Sequence, residues 1–458
     1  MAPAAGGAPA LEPGAGPATR RVSRADGRLL ALAVAIGVLV RLVLLPTQGL
    51  RDDTDQFAAW VHDIAVNGLG SLYGPHEAGP VTFGPVMGWI WGLLAAIAPG
   101  FETATDAADT GLRILLKTPA TIADLGLALV AFWALRDRPR WAVVAAAAIL
   151  LHPMVIDVSA WWGQYESIYV VTALAAAVAA TRGRNGLAAA LIAVSLMTKP
   201  QAIPFLVPFA AWFWATGFRR DGVRGGVLEL IRTGAIGLAV IVVTWLPFLA
   251  QGGPANYLAN VRFYQDEVFN VLSLRAWNPW WIVQVVAANG EFIVDGVPII
   301  GPISFRTVGL LVTGLIEVLL FIAVVRDPRP RTLFLALAAS TLVFFSFMTQ
   351  MHERYAYAAA VFLVLLVAEP RTRWLAVAVG VLVTLNLWWA IPPAPIFATL
   401  LPIDGTAGAI IGITGSILML ALTVVTIRLT IEGPPPDATP EDGGATAAEV
   451  PLTAHPGR

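Results

Sequence analysis

Apolar residues in this chain gather in blocks of about 15 to 25, separated by short polar punctuation, the length at which a helix crosses a hydrocarbon core roughly 30 Å thick. The blocks fall near 28–47, 114–135, 141–157, 166–181, 186–199, 201–217, 226–249, 305–326, 331–348, 354–368, 374–391 and 405–428. Alternation of apolar and polar positions in ten-residue segments, the mark of a membrane β-barrel, is absent. The pattern predicts an all-α, polytopic transmembrane helical bundle of about 12 spans, within a range of 11–14.

Two apolar stretches are too short to count. Val86 to Ala98 carries Gly88 and runs into Pro99, and Trp280 to Ala288 is shorter still, so both are read as re-entrant or interfacial helices. Orientation then follows from the basic connectors. Arg136 to Arg140, Arg182 with Arg184, Arg219 to Arg224, Arg326 to Arg331, and Arg371 with Arg373 all fall on one side, read as cytoplasmic. Both termini fall there too. Residues 1–27 and 431–458, rich in Ala, Pro and Gly or in acidic residues, are expected to be disordered cytoplasmic tails around a membrane domain at 28–430. Its large outer loops would be 48–113 and 251–305. The first apolar block is too long for a signal peptide and lacks a small-residue cleavage pattern.

Composition sharpens this. Of 458 residues, 57% are hydrophobic and 13% charged, against about 25% charged in globular chains. A formal net charge of -1 gives nucleic acid no global attraction, and none is expected as a partner. The absence of cysteine excludes disulfides, thiolate metal sites and lipidation on sulfur. The Ala, Val and Arg usage suggests a bacterial, high-GC source, hence a cell membrane.

On this topology the chemistry collects outside. The outer face receives Asp52-Asp53-Thr54-Asp55, Trp161-Trp162-Gly163-Gln164-Tyr165-Glu166, Lys199-Pro200-Gln201, the loop holding Arg262, Asp266, Glu267, Arg275 and Asn278, and His352-Glu353-Arg354-Tyr355. The inner connectors carry little beyond Arg, Asp and Pro. Taken singly, the acidic run reads equally as a solvated loop, and Lys199 as a snorkelling lysine. His352-Glu353 fails as a zinc-protease motif because position 356 is Ala. Arg41, Lys117, Asp124 and Glu317 each cost about 2.5–3.5 kcal/mol at mid-span and should face protein or water. Lys117 and Asp124, two turns apart, are expected to pair.

The spacing from Asp53 to Trp60 resembles the first outer loop of the GT-C glycosyltransferases, multi-pass enzymes that use polyprenyl-phosphate sugars. The pattern is similar to both the dolichyl-phosphate-glucose glucosyltransferases and the bacterial relatives of the second GPI mannosyltransferase. Phe83-Gly84-Pro85 stands where the family often has Tyr-Pro-Pro. Arg113 to Leu125, Trp162 to Ser167, Lys199-Pro200-Gln201, Ala276 to Trp280 and His352 to Tyr355 are similar to further family segments, in order.

The resemblance implies a GT-C-like fold and an integral-membrane hexosyltransferase, mannose being the family-weighted sugar. It would move the sugar from a polyprenyl-phosphate carrier to a lipid, glycan or protein acceptor on the extracytoplasmic face, with inversion, building cell-envelope glycan. By that resemblance Asp53 is the catalytic base, with Asp52 and Asp55 as neighbouring candidates. Lys199, Arg354, His352 and Arg262 are expected to hold the donor phosphate, and Trp162, Gln164, Tyr165, Glu166, Gln201 and Glu353 to contact sugar or acceptor. No cofactor or metal is required, although a divalent ion at Asp52, Asp53 and Asp55 stays open for a diphosphate donor. Other readings are an arabinosyl- or glucosyltransferase, an oligosaccharide ligase, a transporter or flippase of a lipid-linked sugar, and an inactive scaffold.

Overall fold

The computed structural model describes residues 22–76 and 79–433. Its helices are α1 (Arg24–Leu44), α2 (Arg51–Asn67), α3 (Pro85–Ile97), α4 (Thr110–Ala134), α5 (Pro139–Leu150), α6 (Pro153–Ile156), α7 (Glu166–Thr181), α8 (Asn185–Leu196) and α9 (Leu206–Trp245). There follow α10 (Gly253–Phe263), α11 (Pro279–Ala288), α12 (Phe305–Arg326), α13 (Pro330–Phe347), α14 (Tyr357–Val364), α15 (Pro370–Ala390), α16 (Pro395–Leu400) and α17 (Gly405–Glu432). Most of the two predicted tails lies outside the described residues. Inside them, residues 24–27 open α1, which Ser23 caps by accepting from the Asp26 N–H, and α17 runs on to Glu432.

Every predicted block carries a helix, but fewer are full-length spans. Among the described residues seven helical stretches are long and apolar enough to cross a membrane, or eight if the bent pair Pro139–Leu150 and Pro153–Trp162 is one span. The expected blocks 201–217 and 226–249 meet at Asp221 and Gly222, whose backbone leaves the helical region and folds α9 back on itself. The block at 354–368 holds only the eight-residue α14, with turn on either side. The helices α3 and α11, at 13 and 10 residues, reach roughly 15–20 Å. They are too short to cross, as expected.

The layering follows from which helices are apolar all round. In α13, 78% of the apolar window is inside the protein, whereas in α1 and along 200–251 only 17% is. Leu39, Leu42, Leu129, Leu311 and Leu315 are largely exposed, a surface that suits lipid rather than water. Alanine-rich α5, α7 and α8 pack closely around the centre. At one end of the bundle, basic connectors expected to share a side do meet: Arg182 lies 3.3 Å over Trp133, Arg373 lies 4.3 Å over Trp141, and Arg331 pairs with Glu369 at 2.7 Å.

The buried charges pair differently from expectation. Asp124 accepts from Arg41 Nε at 2.9 Å, from Ser159 at 2.5 Å and from Ser167. Lys117 instead donates to the carbonyls of Thr47 and Trp161, at 2.7 and 2.5 Å. The expected Lys117–Asp124 pair loses because α1 brings a guanidinium to Asp124 from 83 residues away. Removing the Asp124 charge, with Ala or Asn, strands the buried Arg41 cation, a loss of about 3–5 kcal/mol. Asp124→Ala should unfold in detergent at a lower temperature than Asp124→Asn, because it also removes the oxygen that accepts from Arg41, Ser159 and Ser167.

Candidate active site

The acidic stretch is not a loop. It forms the first turns of α2, where Asp52 and Asp53 face a helix N-terminus, a favourable place for negative charge. Phe57, Trp60, Val61 and Ile64 repeat at three- and four-residue spacing and are buried together, so one face of α2 is locked into the protein. Phe57 packs against Tyr165, Phe83 and Trp91 at centroid distances of 5.0, 5.7 and 6.1 Å. This aromatic block sets the rotation of the helix. Asp53 then points inward while Asp52 is exposed. Asp55 turns away to accept from the Ala107 N–H at 2.9 Å and from Arg51 at 3.1 Å.

Opposite α2, the chain after α6 winds as a π-turn from Asp157 to Trp162 and ends at Gly163, whose φ of 96° suits glycine. The wider turn carries Trp162 and Gln164 toward α2. Trp162 Nε1 donates to Asp53 Oδ2 at 2.9 Å, and Gln164 Nε2 donates to the same oxygen. Gln164 Oε1 in turn accepts from Lys199 Nζ at 3.2 Å, and Glu166 Oε1 accepts from it at 2.6 Å. The degenerate Phe83-Gly84-Pro85 segment explains how Lys199 is held. A side chain at Gly84 would start 2.1 Å from the Met197 carbonyl, and the Gly84 N–H donates to Thr198 O at 3.0 Å. That close approach puts the Phe83 ring 5.1 Å from the Lys199 ammonium.

The fourth segment arrives through a short parallel pairing of β1 (Ser273–Leu274) with β4 (Met351–His352). The nearby hairpin of β2 (Pro298–Ile300) and β3 (Ile303–Ser304) completes the strands. The pairing fixes Arg354, whose Nε donates to Glu166 Oε1 at 3.1 Å and whose Nη1 donates to Glu353 Oε1 at 2.9 Å. The guanidinium lies 4.7 Å over the Trp162 ring. Burial alone would raise the Glu353 carboxyl, but His352 beside it and the Arg354 charge hold it down at about 2. Burial lowers His352, and the Arg354 charge lowers it further, against the neighbouring Glu353 carboxylate. Burial also pulls Lys199 below the usual lysine range, against the Glu166 carboxylate.

These groups surround a cavity of about 300 Å³ whose wall includes Asp53, Gln164, Lys199, Gln201 and Arg354. Four segments far apart in sequence thus deliver one carboxylate and two cations to one space. Two buried oxygens near it, Gln201 Oε1 and Glu166 Oε2, have no hydrogen-bond partner in the protein. Among the described residues no three His, Asp or Glu side chains gather as a metal site, and Asp52, Asp53 and Asp55 diverge.

Several expected site residues lie elsewhere. Arg262 is exposed on α10 and is not on the cavity wall. Tyr165 is fully buried, accepts from Trp91 Nε1 at 3.2 Å and donates to Leu116 O at 3.1 Å, so it belongs to the aromatic block rather than to a sugar subsite. Trp162 stands behind Asp53 and Arg354. Glu166, Glu353 and His352 are likewise a supporting layer around the cations, not the wall itself. In their place the wall recruits Gln56, Tyr264, Gln265, Phe269 and Gln350. Asp295, fully buried, ties that roof together by accepting from Arg306 at 2.9 Å, Thr349 at 2.7 Å and Gln350 at 3.0 Å. Gln56 lies one turn after Asp53, a relation visible once 51–67 is read as helix; the roof residues had no local signal.

Comparison with family models matches residues 114–264 to the ALG6, ALG8 glycosyltransferase family. That segment, about a third of the chain, contains Gln164, Lys199, Gln201 and Tyr264 of the wall; Asp53 and Arg354 lie outside it. No curated protein matches the sequence. Two crystal structures of ArnT from Cupriavidus metallidurans, one bound to undecaprenyl phosphate and one in the apo state, are similar at 17% and 16% identity with TM-scores of 0.48 and 0.46. Each similarity covers 89% of this chain and 78% of the other. Over residues 114–264 the chain is therefore similar to the ALG6, ALG8 glycosyltransferase family.

Proposed function

We propose that the cavity binds a polyprenyl-phosphate sugar and transfers its hexose, mannose first among the candidates, to a hydroxyl of a lipid, glycan or protein acceptor. The observation that carries this reading is the convergence of Asp53 with Lys199 and Arg354 on one cavity. Lys199 and Arg354 would hold the donor phosphate, Arg as a planar fork and Lys as a compact charge. Glu166, shared by both cations at 2.6 and 3.1 Å, keeps them poised before the phosphate arrives.

Asp53 takes the proton from the acceptor hydroxyl. The freed oxygen pair attacks the anomeric carbon from the face opposite the phosphate. The carbon–oxygen bond to phosphate breaks, its electron pair leaving on the polyprenyl phosphate, so configuration inverts. Trp162 and Gln164, by donating to one Asp53 oxygen, leave the other free to accept that proton. The active end of the bundle is the extracytoplasmic one in this reading, because the basic connectors gather at the other end. No divalent metal takes part.

A lipid-linked sugar flippase is the second reading, since the same cations would recognise the same headgroup. Proteoliposomes supplied with labelled polyprenyl-phosphate mannose and an acceptor lipid extract separate the two. Label should pass to the acceptor, unaffected by chelator. Donor that changes leaflet with no transfer product would establish the flippase instead.

A further inference from the structure

Glu317 lies on α12 inside a span, 6% exposed, and its Oε2 has no hydrogen-bond partner. Its Oε1 is 2.6 Å from Ser340 Oγ on α13, and that same Oγ is 2.6 Å from the Pro204 carbonyl oxygen. A serine hydroxyl carries one proton, and a carbonyl can only accept. If the Ser340 proton went to an ionised Glu317, two oxygens without a proton between them would face each other at Pro204. If it goes to Pro204, the contact with Glu317 needs a proton from the carboxyl. Both contacts are satisfied by one arrangement, a protonated Glu317 donating to Ser340, and Ser340 donating to Pro204.

The demand at Pro204 has a cause in the sequence. In a helix its carbonyl would accept from the residue four further on, which is Pro208 and has no N–H. The helices packed on α12 bring no counter-charge to Glu317. On α9, Glu229 pairs with Arg232, on α13 Arg331 pairs with Glu369, and on α17 Arg428 pairs with Glu432. A lone buried carboxylate is strongly disfavoured.

We infer that Glu317 is a neutral carboxylic acid and a positioning residue, holding the cavity wall through Ser340 and Pro204. Pro204 belongs to the tight turn Pro200–Phe205, which opens on Lys199 and carries Gln201, while α13 supplies Thr341, Phe344 and Phe345 to the same cavity wall. The relay therefore sets the spacing between the phosphate-holding lysine and α13. Its kinetic consequence rests on the transfer reading above; its proton does not.

The test uses the full chain in nanodiscs. Infrared difference spectra of wild type minus Glu317→Gln at neutral pH should show the carbonyl stretch of a protonated carboxyl. Glu317→Gln, whose amide can still donate to Ser340, should keep the donor KM of wild type. Glu317→Ala and Ser340→Ala should raise it about ten-fold with a smaller change in kcat. The inference is overturned if no protonated-carboxyl band is found, or if Glu317→Gln is impaired as much as Glu317→Ala. Absence of any transfer by the wild type would sink the transfer reading alone, and the infrared band would still decide the protonation of Glu317.

Discussion

Asp53→Asn should lower kcat for sugar transfer by about 10²–10⁴, the range that one positioned general base contributes. The carboxamide is nearly the same size and can still meet Trp162, so packing should be kept while proton acceptance is lost. The neighbouring carboxylates provide the internal control. Asp52 is exposed and Asp55 is occupied by Arg51 and the Ala107 N–H. Asp52→Asn should therefore be close to wild type, and Asp55→Asn should cost stability more than turnover. An Asp52→Asn variant as inactive as Asp53→Asn would mean that α2 is rotated relative to this description.

Arg354→Ala should produce the second large loss, about 10²–10³ in kcat/KM, as expected for removing one donor to a developing anionic charge. Two effects add here. The departing phosphate loses its fork, and Glu166 and Glu353, 1% and 4% exposed at their side chains, lose the cation that faces both. Lys at 354 separates them: it restores charge but not the planar two-sided geometry, so stability should recover more than turnover. Steady-state kinetics with varied donor, beside thermal unfolding in detergent, reads the two losses apart. Equal recovery of stability and turnover in Arg354→Lys would deny the phosphate role.

The helical blocks were legible because span length and hydropathy are local properties of the chain. So was the convergence of polar segments, since each block that changes side carries its flanking residues with it. What local pattern cannot carry is rotation and partner choice. The acidic run reads as a loop from its charge, yet Phe57, Trp60, Val61 and Ile64 already held the helical repeat that buries one face of α2. Tyr165 and Gln164 are adjacent in sequence and opposite in role, because the π-turn before them decides which one faces the cavity. Asp124 found Arg41 rather than Lys117 because tertiary packing outweighs a shared helix face. The roof residues Tyr264, Phe269 and Gln350 come from segments brought together by β1 pairing with β4 and by Gln350 donating to Gln265 O and Asp295, contacts with no signature in either segment alone.

Incubating the purified protein in nanodiscs with anomerically pure polyprenyl-phosphate mannose or glucose, labelled in the sugar, and an acceptor lipid extract tests the central claim most directly. The account predicts a labelled product of inverted anomeric configuration, released polyprenyl phosphate in equal amount, and neither with Asp53→Asn. Retained configuration, or full transfer by Asp53→Asn, would contradict it.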